Sequence, residues 1–303
     1  MKQTLVIGST VIDVLLQIPS IPSSGEDVNI NSSEYRIGGC AYNVFQALKL
    51  FSSPALLCSP VGTGIYGRMV KEDIEAQGID PFILLAEENG CCYCLIEPDG
   101  ERSFLSHHGA EYVFSRSWMK SIDYDQTDGF FLCGLEVEEP TGDEIIEFAY
   151  EHPELELFFA PGPRICHIPV ERMDRLLSRR ATSGKGPLLH LNENEAIRYS
   201  GKRELTTAAQ FLAEKTENSV VITLGEQGCY CQEKAGVAGI FVKGFPVQVA
   251  DTVGTGDAHC GALIACLKKG MSLENACLIA NKIGAAVAGE KGARLERLPA
   301  DIA

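Results

Sequence analysis

The chain of 303 residues has little positive charge and no long apolar run. It carries 26 Lys and Arg against 41 Asp and Glu, a formal net charge of −15. The basic surface that nucleic acids or anionic membranes attract is therefore not expected. No apolar run reaches the roughly 20 residues that cross a bilayer. Internal repeats, low-complexity tracts and flexible linkers are also missing, which favours one domain.

Disulfide and zinc signatures are missing as well, although the chain has twelve cysteines. The cluster Cys91-Cys92-Tyr93-Cys94 has no nearby Cys/His pair with zinc-ligand spacing, so a strand with cysteines on both faces is favoured. Because Lys2 leads directly into the strand-like 5–7, we expect no signal peptide and a reducing, cytoplasmic compartment. Several cysteines lie in apolar runs and are typical of small core residues: Cys58, Cys133, Cys260, Cys266 and Cys277.

What the chain does have is a repeated order of strand and helix. This order predicts an α/β fold with a mostly parallel sheet covered on both faces by helices. The predicted strands are 5–8, 55–59, 130–133, 155–159, 188–191 and 220–224, with a meander over about 228–249. The predicted helices are 41–50, 66–77, 258–269 and 273–288.

Two segments interrupt this order. Residues 14–36 and 91–106 have the pattern of hairpin strands, with turn residues such as Pro22, Gly25 and Pro98-Asp99-Gly100 between them. Both fall between βα units, so we predict that they form a small second sheet. A sheet placed over a ligand crevice would serve as a lid.

The stretch Asp251-Thr252-Val253-Gly254-Thr255-Gly256-Asp257 carries the clearest chemical signal. An apolar run ending at Val249 precedes it, and a helix of small residues follows from Ala258, so we place it between a strand and a helix. Glycines there let a ligand approach the backbone, and the unpaired amides of a helix N-terminus favour an anion such as phosphate. Asp257 could then deprotonate a hydroxyl during phosphoryl transfer. The alternative is that Asp257 only caps the helix.

Two more polar segments follow predicted strands. The turn Gly38-Gly39, with Asn43 one helical turn later, lets backbone approach a ligand and offers an amide to a hydroxyl, or is simply a tight turn. Asn192 and Glu195 are three residues apart at a helix start. They could organise a hydrated Mg²⁺ or form a capping box, and locally the box is favoured.

A competing motif, Gly62-Thr63-Gly64-Ile65-Tyr66-Gly67, matches the dinucleotide fingerprint G-x-G-x-x-G. Glu87 and Glu88 follow about twenty residues later, as that fingerprint requires. This motif supports a nicotinamide-dependent oxidoreductase as an alternative. Two features weigh against it: the acidic pair lies in a polar turn, and the motif belongs to the second βα unit.

The stretch 251–257 resembles the C-terminal signature of the ribokinase-like (PfkB) carbohydrate kinases, usually Asp-Thr-Thr-Gly-Ala-Gly-Asp, with Val253 and Thr255 as mild replacements. Segments 36–43, 192–195 and 221–228 resemble further motifs of this family, in the family's order. The resemblance implies a three-layer ribokinase-like α/β/α fold, with 1–303 as a single kinase domain. It also implies ATP-dependent transfer of the γ-phosphoryl group to a hydroxyl, expected to be a primary CH₂OH, of a sugar or nucleoside.

The same resemblance assigns roles to individual residues. The catalytic set is the base Asp257 with the amides of Gly254, Thr255 and Gly256. The substrate set is Asp13, Gly38, Gly39, Asn43, Glu136 and Arg164. The ATP set is Asn192, Thr223, Gly225, Gly228 and Asn281. The metal set is Asn192 and Glu195 for Mg²⁺ through water, and Asp251 with the backbone near Val253, beside the loop Gly292-Ala293, for a monovalent cation such as K⁺.

Some positions depart from the family pattern. Where many relatives have Asp-x-Asn-x-Arg, this chain has Ala160 and Gly162 and keeps only Arg164. His259 stands where relatives often have Phe. The resemblance implies a homodimer formed through the lids, and no nucleic-acid or membrane partner. A sugar- or nucleoside-binding regulator that lost turnover is a further alternative.

Overall fold

The computed structural model describes residues 1–300 and Ile302. Helices and strands alternate through most of this range. The strands are β1 (Gln3–Ile7), β2 (Val11–Gln17), β3 (Ser32–Gly38), β4 (Ala55–Cys58), β5 (Pro60–Thr63), β6 (Ile83–Glu88), β7 (Cys91–Ile96), β8 (Arg102–His107), β9 (Thr127–Cys133), β10 (Glu156–Ala160), β11 (Leu188–Asn192), β12 (Val220–Thr223), β13 (Gly228–Gln232) and β14 (Ile240–Lys243). The helices are α1 (Cys40–Leu50), α2 (Gly64–Ala76), α3 (Gly134–Glu138), α4 (Gly142–Glu151), α5 (Val170–Ser178), α6 (Glu193–Ser200), α7 (Leu205–Thr216), α8 (Thr255–Lys268) and α9 (Leu273–Ala288).

The chain divides into two compact units. The large unit consists of Met1–Gly8, Cys40–Cys58 and the chain from Phe114 onward. The small unit consists of Ser9–Gly39 and Ser59–Val113. Both excursions that the sequence singled out, 14–36 and 91–106, fall in the small unit. That 1–303 forms a single kinase domain stays a prediction.

The large unit is built on an eight-stranded sheet in the order β14-β13-β12-β11-β10-β9-β1-β4. Neighbours from β12 to β4 pair in parallel, whereas β13 and β14 join the edge antiparallel. Strand β9 carries Phe130, Phe131 and Leu132 in succession, each 0% exposed. Such continuous apolar runs are expected when helices cover both faces of a parallel sheet. The predicted mostly parallel α/β sheet is therefore confirmed.

The small unit contains a four-stranded sheet in the order β3-β2-β7-β8 and a two-stranded parallel sheet of β5 and β6. The predicted small second sheet is therefore confirmed. On β7, Cys91 and Cys94 are buried on opposite faces, and Cys92 is half-buried, as expected for a strand. All twelve cysteines of the chain are free. Among the described residues, none of the helices combines the length and apolar content that crossing a bilayer requires.

The chain reaches residues 251–257 differently from the sequence prediction. Strand β14 ends at Lys243, so the apolar run ending at Val249 is not a strand and the expected strand-to-helix junction is wrong. Pro246 interrupts that run, and Val249 is 62% exposed. A proline has no N–H to donate to a neighbouring strand, and a valine that stays exposed contributes no buried apolar area to a sheet. Helix α8 also begins three residues before the predicted Ala258, so Thr255, Gly256 and Asp257 form its first turn.

Candidate active site

The N-terminus of α8 depends on one glycine conformation. Gly254 is the N-cap residue, and its φ of +73° lies in the left-handed region that disfavours a side chain. A Cβ on Gly254 would also lie 2.2 Å from the Cβ of Ala293. Only glycine fits both restraints. The structure thereby brings Ala293, of the loop Gly292-Ala293 that was predicted to lie beside a cation, against Gly254 in the predicted phosphate-binding stretch 251–257.

The backbone ahead of α8 is partly occupied by its own hydrogen bonds. Asp251 is buried, and its Oδ1 accepts a bond of 2.9 Å from the amide of Val253. The Thr255 amide makes a long bond of 3.4 Å to the Thr252 carbonyl, whereas Gly256 is exposed. The first amides of a helix have no intrahelical partner, so Gly256 presents its amide at the open end of α8.

Asp257 occupies the third position of α8 and is half-buried. The amide of Asn43, 214 residues away along the chain, donates a bond of 2.9 Å from Nδ2 to Oδ2 of Asp257. Burial raises the pKa of Asp257 from 3.8 to about 6, against the opposing hydrogen bonds from Asn43 and the Cys40 thiol. A carboxyl group with a pKa near 6 is ionised at neutral pH and can accept a proton.

A cavity of about 320 Å³ opens beside this helix end. Four of the five residues predicted to bind ATP line it, together with two of the predicted phosphate-loop residues. These six residues are Thr223, Gly225, Gly228, Asn281, Thr255 and Gly256. Glu226, Thr252 and His259, which lie in or next to the predicted motifs, also line it. The sequence did not assign a site role to the remaining lining residues because they lie in a segment without a motif or on one face of α9: Gly244, Phe245, Pro246, Val247, Val249, Gly284, Ala285 and Ala288.

Asn192 and Glu195, the predicted Mg²⁺ pair, form the capping box of α6. The backbone amide of Glu195 donates to Asn192 Oδ1 over 2.9 Å, and the backbone amide of Asn192 donates to Glu195 Oε2 over 3.0 Å. Burial raises the pKa of Glu195, and the Asp257 carboxylate adds to that rise, so the two acidic groups share one neighbourhood. Across residues 1–300 and Ile302, no cluster of three or more His, Cys, Asp or Glu has the arrangement of a metal site.

The two remaining substrate candidates of the large unit differ in their surroundings. Glu136 on α3 is 2% exposed, and a Cβ on Gly8 would lie 2.9 Å from its Oε1. A hydrogen bond with Cys133 and burial raise the pKa of the Cys40 thiol, and the Asp257 and Glu136 carboxylates add to this rise, so both carboxylates lie near that thiol. Arg164 is exposed and pairs with Glu138 through Nε at 2.8 Å and through a second, shorter contact. A substrate contact by Arg164 would have to replace this ion pair.

In the small unit, the structure brings Asp13 and Gly38 together on adjacent strands. A Cβ on Gly38 would lie 2.1 Å from Oδ2 of Asp13. Gly39 has a φ of +101°, and a Cβ there would lie 2.5 Å from the Ser9 carbonyl oxygen. Neither glycine could be replaced without displacing Asp13 or the strand connection that it touches. The sequence predicted these three residues as one binding cluster.

The glycines of the competing dinucleotide motif serve packing. A Cβ on Gly67 would lie 2.2 Å from the Gly62 carbonyl oxygen. Glu87 and Glu88 end strand β6, so the prediction that this acidic pair lies in a turn is wrong. A Cβ on Gly64 would lie 3.3 Å from the Glu88 side chain, which places an acidic residue at the start of α2. A carboxylate there competes with the pyrophosphate that a dinucleotide fold binds at this helix end.

The chain belongs to the pfkB family of carbohydrate kinases, whose family model matches residues 1–301. It is a sugar or nucleoside kinase of the ribokinase-like class, a phosphotransferase with an alcohol group as acceptor. The uncharacterized sugar kinase YegV of Escherichia coli strain K12 is 31% identical over 298 residues, covering 96% of this chain and 90% of YegV.

Two solved structures show the same fold. The adenosine kinase of Sinorhizobium meliloti has a TM-score of 0.82 at 21% identity, with 97% of this chain and 96% of that chain covered. The ribokinase of Cryptococcus neoformans var. grubii, solved in complex with ADP, has a TM-score of 0.75 at 23% identity, with 97% and 96% covered. The predicted family, ribokinase-like fold and enzyme class are confirmed, and both predicted alternatives, oxidoreductase and non-catalytic regulator, are disfavoured.

Proposed function

We propose that this kinase transfers the γ-phosphoryl group of ATP to a primary hydroxyl of a sugar or nucleoside, with Asp257 as the base. The observation that carries the proposal is the position of Asp257. It lies in the first turn of α8, held by Asn43, while Thr255 and Gly256 of the same turn line the cavity that four predicted ATP residues share. Base and phosphate site therefore belong to one helix end.

In this proposal Asp257 takes the proton of the acceptor hydroxyl as the new O–P bond forms and the bond to the leaving ADP breaks. The amides of Gly254, Thr255 and Gly256 stabilise the charge that develops on the transferred group. Such donors contribute about 3 kcal/mol each where removal has been measured. The Gly256 amide fits this role best because its residue is exposed at the helix end. The acceptor would be bound by Asp13, Gly38, Gly39, Asn43 and Glu136, and by Arg164 if it leaves Glu138.

The donor groups here fit Mg²⁺ held through water. Asp257 and Glu195 are acidic oxygen donors in one neighbourhood, and Mg²⁺ prefers oxygen ligands and keeps several waters. Asn192 already occupies both Glu195 oxygens, over 2.7 and 3.0 Å, so ligation through water fits better than direct ligation. Bound Mg²⁺ would neutralise phosphate charge. For K⁺, the buried Asp251 carboxylate and nearby backbone carbonyls are of the right chemical type.

Asp257→Asn is the direct test. The amide cannot accept the hydroxyl proton, so we expect kcat to fall by at least about 10²-fold, the lower end of what general bases supply. ATP binding, measured by calorimetry, should stay within about threefold because Asn also accepts the Asn43 hydrogen bond. The substrate is the best acceptor from a panel of sugars and nucleosides. Turnover within tenfold of wild type would contradict the assignment of the base.

Three further expectations remain proposals. The four-stranded sheet of the small unit is proposed to act as a lid and as the contact of a homodimer, on the strength of the family resemblance and of exposed apolar side chains such as Tyr35, Phe104 and Leu105. A cytoplasmic location agrees with twelve free cysteines. Sedimentation of the protein tests the dimer, since a monomer at micromolar concentration would contradict it.

A further inference from the structure

A buried chain of three polar side chains lies beside the cavity, and none of the three has a role in the proposed phosphoryl-transfer step. His190 on β11, His259 on α8 and Asn281 on α9 are 6%, 4% and 6% exposed. His259 and Asn281 line the cavity, and His190 is joined to His259. Burying a polar group costs free energy unless the group has a hydrogen-bond partner. We therefore ask what the hydrogen bonds among these three side chains hold in place.

The hydrogen bonds of this chain determine the direction of every donor. Asn281 Nδ2 donates to the carbonyls of Val242 and Lys243, at 3.0 Å each, so its Oδ1 is an acceptor. His259 Nε2, 3.0 Å from that Oδ1, is therefore the donor. In a neutral imidazole the other nitrogen is then an acceptor. His190 Nε2, at 2.9 Å from His259 Nδ1, must supply the proton of the last bond.

This order leaves the Asn281 side chain with its donor and acceptor atoms all engaged by protein. Asn281 therefore holds the end of β14 at the edge of the cavity that it lines. Directly after β14 comes the segment 244–249, which forms one wall of the cavity through residues such as Phe245 and Val247. The chain from His190 to Asn281 thus links β11, α8 and α9 to the last two residues of β14, directly before that wall.

The protonation state of His190 agrees with this order of donors and acceptors. Burial lowers the pKa of His190 well below its usual value, and His259 lowers it further, so His190 is neutral. Backbone hydrogen bonds hold the two ends of the wall: the Gly244 amide donates to the Gln227 carbonyl over 2.9 Å, and the Ala250 amide donates to the Ala288 carbonyl of α9 over 2.8 Å. The polar chain adds a side-chain restraint that ties the end of β14, just before the wall, to α8.

We propose that His259, oriented by His190, is a positioning residue that sets the affinity for the nucleotide through Asn281 and the wall 244–249. It acts on binding and not on the transfer step, because its contacts lead away from Asp257 toward β14. This inference rests on the proposed function, in which the cavity holds the nucleotide.

The test measures binding of the non-hydrolysable analogue AMPPNP with Mg²⁺ by calorimetry, on the full chain. His259→Phe keeps a ring but leaves Asn281 Oδ1 and His190 without partners. We expect Kd to rise about tenfold, the factor that 1.4 kcal/mol represents and the order of cost of an unpaired buried acceptor. His259→Gln retains a donor for Asn281 and should stay within about threefold of wild type. Cys266→Ala, a buried change on the same helix outside the cavity, serves as the stability control.

Each outcome separates the two proposals. If wild type does not bind AMPPNP, the proposed function fails. If wild type binds and His259→Phe binds within about twofold, the positioning role is overturned. It is also overturned if the Kd values of all three variants follow their melting temperatures, because that marks general destabilisation. A tenfold loss in His259→Phe, rescue in His259→Gln and an unchanged Kd in Cys266→Ala support the role. With an acceptor present, KM for ATP should rise in His259→Phe while kcat changes less than threefold.

Discussion

The environment of Asp257 balances two opposing effects on one carboxyl group. Burial favours the protonated form, while hydrogen bonds from Asn43 and Cys40 favour the carboxylate, and the resulting pKa is about 6. A base is most useful when its pKa lies just below the working pH, since it is then ionised and still basic. If Asp257 is the base, as proposed, Asn43 has a role that the sequence did not predict, because its hydrogen bond lowers the pKa of that carboxyl group.

The pH profile of the reaction should follow this balance. We expect kcat/KM of wild type to fall below a pH of about 6, because the protonated Asp257 cannot accept a proton. Asn43→Ala removes a hydrogen bond that lowers the pKa, so its acidic limb should move to higher pH. The measurement is kcat/KM from pH 5 to 9 for both proteins. An identical limb in the two would show that Asn43 does not act on Asp257.

The ionised carboxylate of Asp257 should also lower the free energy of unfolding. Its pKa is higher in the folded than in the unfolded protein, about 6 against 3.8, so the folded state binds the proton more tightly. Stability is therefore lost as the pH rises from about 4 through 6. At pH 8, Asp257→Asn should raise the free energy of unfolding by about 3 kcal/mol, and below pH 4 the gain should vanish. Urea denaturation at both pH values checks this, and an equal gain at the two would contradict the linkage.

Among the elements, α5 is fixed to the end of α4 by one buried arginine. Arg179 is 1% exposed, and it donates to the carbonyls of Ala149, His152 and Leu155 at 2.6 to 2.9 Å. The last carbonyls of a helix have no intrahelical partner, so Arg179 satisfies groups that would otherwise be buried without one. Burial lowers the pKa of Arg179, which reflects the cost of placing the charge there.

Arg179→Met should therefore lower the free energy of unfolding by about 3 kcal/mol, the penalty of leaving several buried acceptors unpaired. The matched control is Arg175→Met in the last turn of α5, the helix that Arg179 directly follows. Arg175 pairs with Glu147 at the surface, with 42% of its side chain exposed, and such pairs contribute less than about 1 kcal/mol. Chemical denaturation of both variants is the measurement. Equal losses of unfolding free energy in the two variants would contradict the special contribution of Arg179.

At the scale of the whole molecule, ligand binding should separate the kinase from the dinucleotide alternative. At about 100 times its Kd, a ligand that binds only the folded state stabilises it by roughly 3 kcal/mol. We expect ATP with Mg²⁺ to raise the melting temperature and NADH to leave it unchanged. In Gly254→Ala the response to ATP should be lost, since a Cβ there would collide with Ala293. A clear response to NADH with none to ATP would contradict the nucleotide site.

The sequence predicted the elements better than their junctions. Helix α9 was predicted with its observed ends, because Ser272 caps it and apolar residues recur on one face. The approach to α8 was wrong, because an apolar run such as 245–249 has the same pattern whether it forms a strand or lines a cavity. Asn192 and Glu195 show the same ambiguity, since the capping box and an Mg²⁺ pair share one spacing.

The sequence alone determined the family and the α/β order, and it predicted six residues that the structure brings together around the cavity beside α8, because glycines and carboxylates at fixed spacing have few other uses. Only the tertiary structure brought Asn43 to Asp257 and joined His190 to His259 and Asn281, across separations of 214, 69 and 22 residues. Such contacts depend on how strands and helices pack, and no local pattern encodes them. The motifs therefore predict which chemical groups the candidate site contains. The contacts that shift the pKa of Asp257 and orient His259 depend on the fold.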